Sequence, residues 1–277
     1  MINRIAFLGC GSMGEAILAG LLASGTSPSS VVATARRTER ADELASRYGV
    51  TAIAAAEEPE ANRQAAQGAG IVLLGVKPAG IAALCREIAS VLQPHTLVIS
   101  VAAAVSLAQL QAALPDGQPV IRSMPNTPLK VRRGVVALSA AGTITPEQLA
   151  KGHEVFSGSG TVLDVPEEQQ DAVSAISGSG PAYAFYFAEA IAAAARDFGL
   201  DADTALILAR ETVAGAGLML SQPGADPSQL RKAVTSPNGT TERALATFDE
   251  RGLPAIISAG AQAAAARAAA ISAELGG

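Results

Sequence analysis

"RIAFLGCGSMGEAILAGLLAS", residues 4–24, decides how this chain is read. An apolar run of strand length ends in glycines at positions 9, 11 and 14, and a helical stretch follows at once, with Ile17, Leu18, Leu21 and Leu22 on one face. Strand, G-x-G-x-x-G and helix in that order give the spacing its physical meaning. Gly9 permits the tight turn, Gly11 lets the backbone approach a pyrophosphate, and Gly14 lets helix and strand pack closely. The stretch predicts a dinucleotide loop at the head of an α/β domain.

Working outward, "SVVATAR", "GIVLLGV", "TLVISVA" and "PVIRSM" read as further strands. Runs apolar on both faces are what a parallel sheet covered by helices requires, so the expectation is a doubly wound α/β domain. At "TPEQ", 145–148, Thr145 can cap a helix, Pro146 opens it and Gln148 closes a capping box. With "TVLDV" as a last strand the domain ends near residue 165, giving an expected coenzyme domain over 1–165. From "PEEQQDAVSAI" onward strand signals vanish, and 166–277 reads as an all-α domain. Leu206, Ala209, Val213 and Leu220 mark an apolar stripe there, and "DPSQ", 226–229, gives a capped helix start. So many alanines leave apolar surface that a second copy would cover.

The chain has 277 residues, 49% hydrophobic and 16% charged, yet no apolar run reaches the length of a membrane span. With a strand beginning almost at the N-terminus and no room for a signal peptide, a soluble cytoplasmic protein is expected. Cys10 and Cys85 form no disulfide framework and no metal-ligand spacing, so no metal is expected. A net charge of -5 without a long basic cluster argues against nucleic acid as a partner. His95 and His153 follow no catalytic pattern and read as surface residues.

The end of the second strand discriminates between coenzymes. NAD sites place Asp or Glu there to accept from the ribose 2′-hydroxyl. Here stands "ATARRTER", residues 33–40, in which Arg36 and Arg37 put positive charge where a 2′-phosphate would lie, with Thr34 and Thr38 as hydroxyl donors. NADPH is therefore favoured, with NADH as the alternative. A second stretch, "TSPNGTT" at 235–241, interrupts helical sequence and is followed at once by "ERAL". It reads either as a plain turn or as an anion cradle at a helix start.

At "GVKP" (75–78), "SVAAAV" (100–105), "RSMPNTP" (122–128), "DAVSAISGSGPAYAF" (171–185) and "VTSPNGTT" (234–241) the chain resembles the pyrroline-5-carboxylate reductase family. These motifs run in the family's order from the first strand to the last helices. The resemblance implies reduction of the C=N bond of 1-pyrroline-5-carboxylate to L-proline, the last step of proline synthesis. It also implies an N-terminal Rossmann domain, a helical dimerisation domain, and dimers that assemble further into decamers. Matched by motif, the coenzyme would be held by Cys10, Ser12 and Met13 in the glycine loop, by Val76, Lys77 and Pro78 after "GIVLLGV", and by Ala103, with Asn126 facing the nicotinamide side. The substrate would be held by Ser236, Gly239, Thr240 and Thr241. Hydride transfer needs no nucleophile, so Thr241 would serve as hydrogen-bond partner of the ring nitrogen, while amides around Gly239 and Thr240 grip the carboxylate and an unhindered Gly239 allows close approach.

Three departures accompany the resemblance. Asn238 replaces the first glycine of the usual Ser-Pro-Gly-Gly, which a left-handed Asn can accommodate. "AAA" at 102–104 replaces Ala-Ala-Gly. Asp226 and Ala233 stand where His and a polar residue are common; N-capping explains Asp226, whereas Ala233 removes one expected coenzyme contact. The rival reading, a hydroxyacid dehydrogenase of the 6-phosphogluconate type, needs a lysine base early in the helical half, and residues 167–195 contain none. A non-catalytic NADP-binding sensor would lack the cradle residues that this chain keeps.

Overall fold

The computed structural model describes residues 4–142 and 144–276. The chain folds as two units, residues 1–178 together with 264–277, and residues 179–263.

The first unit is built on one eight-stranded sheet. Its strands are β1 (Ile5–Leu8), β2 (Val31–Ala35), β3 (Thr51–Ala54), β4 (Ile71–Leu74), β5 (Leu97–Ser100), β6 (Val120–Pro125), β7 (Gly134–Ala140) and β8 (Gly160–Asp164), in the spatial order β3-β2-β1-β4-β5-β6-β7-β8. Helices α1 (Ser12–Ala23), α2 (Thr38–Tyr48), α3 (Ala61–Ala66), α4 (Ile81–Ile88), α5 (Leu107–Ala113) and α6 (Pro146–Ser157) connect them. Because side chains alternate along a strand, β1 sends Ile5 and Phe7 to one core with Ile17, Leu21, Leu44 and Phe156, and Ala6 and Leu8 to another with Leu84, Ile88 and Leu110. Both faces are covered, which is why the strands read as continuous apolar runs.

Two strands were not legible in the sequence, β3 ("TAIA") and β7 ("GVVALSA"). The expected all-parallel sheet is corrected at β7, which pairs antiparallel with β6, Met124 opposite Ala137. The eight residues between Pro125 and Gly134 are too few for the crossover that a parallel neighbour demands. β8 then returns parallel to β7 through α6. The capping box at the start of α6 forms as its sequence implies, Gln148 N donating to Thr145 Oγ1 at 3.2 Å and Thr145 N to Gln148 Oε1 at 2.9 Å.

The sheet unit runs past residue 165. Glu167 accepts from Arg122 Nη1 at 3.1 Å and from Leu107 N at 2.6 Å, and the buried Gln170 donates to Ser139 Oγ at 2.8 Å. A short helix, α7 (Gln170–Val173), leads into a π-helical turn, Ser174–Gly178.

The second unit consists of α8 (Gly180–Asp197), α9 (Ala202–Leu220), α10 (Pro227–Ala233), α11 (Thr240–Glu250) and the first part of α12 (Leu253–Gly276). α8 and α9 pack together through small residues, with Ala192, Ala205 and Ala209 buried. Of the apolar stripe read along α9, only Ala209 is buried; Leu206 and Leu220 are exposed, as are Phe185, Tyr186, Ile207 and Leu218. Asp226 caps α10 by accepting from Gln229 N at 2.8 Å.

Candidate active site

The connections β1→β2→β3 run to one side of β1, whereas β4, β5 and β6 lie on the other. Strand order therefore reverses between β1 and β4, and a crevice opens at the strands' carboxyl ends. A cleft of about 740 Å³ occupies this position. Gly9 to Met13 line it after β1, Arg36 and Arg37 after β2, Val76, Lys77 and Pro78 after β4, and Ala103 after β5. These residues, read from the sequence as coenzyme contacts, are brought together.

The glycine loop shows which backbone groups remain for a ligand. Gly9 has φ +74°, and a Cβ there would stand 2.5 Å from Val76 Cγ1, so only glycine fits between the β1 and β4 ends. The amides of this turn are spent internally: Gly9 N donates to Thr34 Oγ1 at 2.9 Å, Cys10 N to Thr34 O at 2.7 Å and Gly11 N to Gly9 O at 2.7 Å. α1 opens with Gly11 as N-cap, and no side chain caps it. The first-turn amides of Ser12 and Met13 are thus left open to an anion at a helix N-terminus. Gly14 packs beneath the loop, where a Cβ would lie 3.3 Å from Cys10 Sγ. Cys10 itself is buried, and burial pushes its thiol pKa up to about 12, so it stays protonated and contributes packing rather than redox chemistry.

The cleft carries charge of one sign. Arg36, Arg37, Arg40, Lys77 and Lys130 line it, and among the described residues no carboxylate does. Arg40 is already committed, its guanidinium bonding Glu15 at 2.6 Å and Glu43 at 3.1 Å. Glu15 also accepts from Arg47 at 2.7 Å and from Tyr48 at 2.9 Å. Burial pushes the Glu15 carboxyl up, but the hydrogen bonds from Arg40 and Tyr48 and the charges of Arg40 and Arg47 outweigh it and hold the group below the ordinary carboxylate range. Arg36, Arg37, Lys77 and Lys130 take part in no ion pair among the described residues. Four uncompensated cations beside an open helix N-terminus fit a dinucleotide bearing a pyrophosphate and a further phosphate.

Several expectations are corrected by the geometry. Asn126 does not face the cleft: its Nδ2 donates to Ser177 O and Oγ, both at 3.1 Å, and its Oδ1 accepts from Val135 N at 2.8 Å. It ties the β6–β7 connection to the π-helical turn. Thr34 is buried, with its hydroxyl engaged by Gly9 and donated to Asn62 Oδ1 at 2.7 Å, and Thr38 donates to Glu57 Oε1 at 2.6 Å. Neither hydroxyl is left to donate to a 2′-phosphate. The sequence reading missed Arg40, Thr127 and Lys130, and the basic "KVRRG" at 130–134 was the one signal for Lys130. Ala104, where Ala-Ala-Gly is common, holds φ 63°, the left-handed region.

The turn at 235–241 belongs to the second unit. Asn238 adopts φ 59°, the conformation expected of its replacement of glycine. Its N–H donates to Glu242 Oε2 at 2.8 Å, and Gly239 N donates to Ser236 O at 3.0 Å. A Cβ on Gly239 would lie 2.5 Å from Ser236 Oγ and 2.9 Å from Ser236 O. Gly239 is therefore required by the turn's own closure, not by an unhindered face, and its amide is spent. As N-cap of α11 it brings no side-chain acceptor, so the first-turn amides of Thr240 and Thr241 stay uncapped beside the Ser236 and Thr241 hydroxyls. The arrangement suits a carboxylate.

Known proteins share this plan. Residues 4–104 match the family described as NADP oxidoreductase, coenzyme F420-dependent, and residues 167–271 match pyrroline-5-carboxylate reductase dimerisation. The pyrroline-5-carboxylate reductase of Pseudomonas aeruginosa is 36% identical over 274 residues, 99% of this chain and 98% of that protein. That of Escherichia coli is 36% identical over 258 residues, 93% and 94% of the two chains. A solved pyrroline-5-carboxylate reductase from Coxiella burnetii superposes with TM-score 0.91 at 35% identity, covering 98% of this chain and 99% of that one. The Plasmodium falciparum structure with NADP bound, at 21% identity and TM-score 0.81 over 98% of each chain, shares the fold.

Proposed function

The chain belongs to the pyrroline-5-carboxylate reductase family, and on that premise we propose that the helix start at Thr240 and Thr241 holds the carboxylate of the substrate while Thr241 partners the ring nitrogen. The enzyme reduces 1-pyrroline-5-carboxylate to L-proline in an NADPH-dependent reaction. The coenzyme supplies the hydride; the chain supplies binding, orientation and a hydrogen bond to nitrogen.

On the coenzyme side, the amides of Ser12 and Met13 take the pyrophosphate, and Arg36 and Arg37 take the 2′-phosphate. Lys77 and Lys130 add charge along the cleft. On the substrate side, the Thr240 and Thr241 amides and the Ser236 hydroxyl grip the carboxylate. With the carboxylate fixed, the imine carbon must come within about 3–3.5 Å of the hydride donor, the separation such transfers need. The Thr241 hydroxyl then bonds the nitrogen as its charge changes. Nothing in the reaction calls for a nucleophile, and the protonated Cys10 offers none.

Residues 166–277 serve as the dimerisation and substrate domain, the exposed apolar face of α8 and α9 being what a second copy covers, and dimers assemble into decamers. The enzyme works in the cytoplasm. The observation that carries the functional reading is continuous likeness to reductases of this substrate along nearly the whole chain. The test is NADPH oxidation followed at the nicotinamide absorbance with pyrroline-5-carboxylate, with a hydroxyacid and with neither. Turnover with the first alone is expected; no turnover with it overturns the reading. Light scattering tests the assembly.

A further inference from the structure

The glycine loop is tied to a side-chain chain that none of the coenzyme contacts explains. Thr34, next to last in β2, holds two consecutive loop amides, Gly9 N on its hydroxyl at 2.9 Å and Cys10 N on its carbonyl at 2.7 Å. Its hydroxyl hydrogen goes to Asn62 Oδ1 on α3 at 2.7 Å, and Asn62 Nδ2 donates to Glu87 on α4, 3.1 Å to Oε1 and 3.3 Å to Oε2. Four elements that are distant in sequence meet in one line.

The direction of every link is fixed from the far end. A carboxylate only accepts, so Asn62 must turn its NH₂ to Glu87 and therefore its oxygen to Thr34. That oxygen can only accept, so the Thr34 hydroxyl must donate to it and present a lone pair to Gly9 N–H. Without Glu87 the Asn62 amide is free to flip, Thr34 can meet an NH₂ instead of an oxygen, and the hydroxyl hydrogen is then free to point at Gly9 N–H. Polarity and burial both matter: Thr34 is 1% exposed, so a broken link inside leaves groups that water cannot easily satisfy.

We propose that Thr34, Asn62 and Glu87 are positioning residues that set the left-handed turn at Gly9, and with it the aim of the Ser12 and Met13 amides at the coenzyme pyrophosphate. None of the three is among the described residues that line the cleft, and the network meets the site at the loop amides. This rests on the coenzyme reading above.

The experiment is direct binding, by nicotinamide fluorescence for NADPH and by calorimetry for adenosine 2′-monophosphate, a probe with the 2′-phosphate but no pyrophosphate. Glu87→Ala, at a partly exposed residue that does not line the cleft, should weaken NADPH about 5- to 10-fold and leave the smaller probe within about twofold. Thr34→Val should weaken NADPH at least as much, Thr34→Ser should restore it, and Thr34→Val combined with Glu87→Ala should cost less than the product of the two single effects, as members of one network do. Wild-type NADPH affinity in Glu87→Ala, or equal loss for both probes, would overturn the proposal. Failure of the unaltered protein to bind NADPH would instead remove the coenzyme reading.

Discussion

Replacing Arg36 and Arg37 together by serine should turn a coenzyme preference into near indifference. Both lie at the carboxyl end of β2, line the cleft and have no carboxylate partner among the described residues, so a bound phosphate need not displace an existing ion pair. Hydrogen bonds to charged groups are worth about 1.5–3 kcal/mol when shielded. Exposed pairs are worth only about 0.2–1 kcal/mol. Both side chains are exposed but face a doubly charged 2′-phosphate, so about 1 kcal/mol each is the reasonable figure. Two such contacts make about 2 kcal/mol, roughly a 30-fold loss of NADPH affinity at about 1.4 kcal/mol per tenfold. NADH lacks the 2′-phosphate and should change by less than about threefold. Titration of both coenzymes at one ionic strength measures the ratio, and raising the salt should narrow the wild-type gap because exposed charges are screened. Parallel weakening of NADH and NADPH, or no change in either, would refute the assignment of these arginines to the 2′-phosphate.

Thr241→Ala should lower kcat/KM by about 10²-fold or less, the contribution of one positioned donor, while NADPH binding stays unchanged; full activity would remove the hydroxyl from the mechanism. Ala104→Gly relieves a left-handed alanine, a conformation that costs roughly 1–2 kcal/mol, at the expense of a more flexible unfolded chain, so a net gain of about 0.5–1 kcal/mol should appear as a higher urea midpoint. Because the Glu15 carboxyl is held below its ordinary 4.5 in the folded chain, its stabilisation is complete above that pH and is lost as pH falls through the depressed value. Glu15→Gln should therefore be less stable than the parent at neutral pH, with the difference closing on acidification; a constant difference from pH 7 to below pH 4 would show that the carboxylate's pairing is not what stabilises.

Features encoded locally were legible in the sequence. The glycine loop, the Arg pair after β2, the capping box at Thr145, the Asp226 cap and the left-handed Asn238 each depend on a few neighbouring residues whose types dictate the backbone. What escaped depends on pairing at a distance. β7 looked like connecting sequence because its antiparallel place is set by a short link to β6, not by its own composition. Asn126 and Thr34 carry polar groups suited to a ligand, yet partners 51 and 28 positions away claim them. Gly239 resembled an open approach for substrate, whereas Ser236 folds back onto it. Leu206 and Leu220 were read as part of an apolar stripe, and periodicity reports that a face is apolar, not which molecule covers it.

A crystal structure of this protein with NADPH and L-proline bound tests the central claim most directly. The account predicts proline carboxylate oxygens within hydrogen-bond distance of the Thr240 and Thr241 amides, with the Thr241 hydroxyl on the ring nitrogen. A proline carboxylate held elsewhere, with the start of α11 left to solvent, would contradict it.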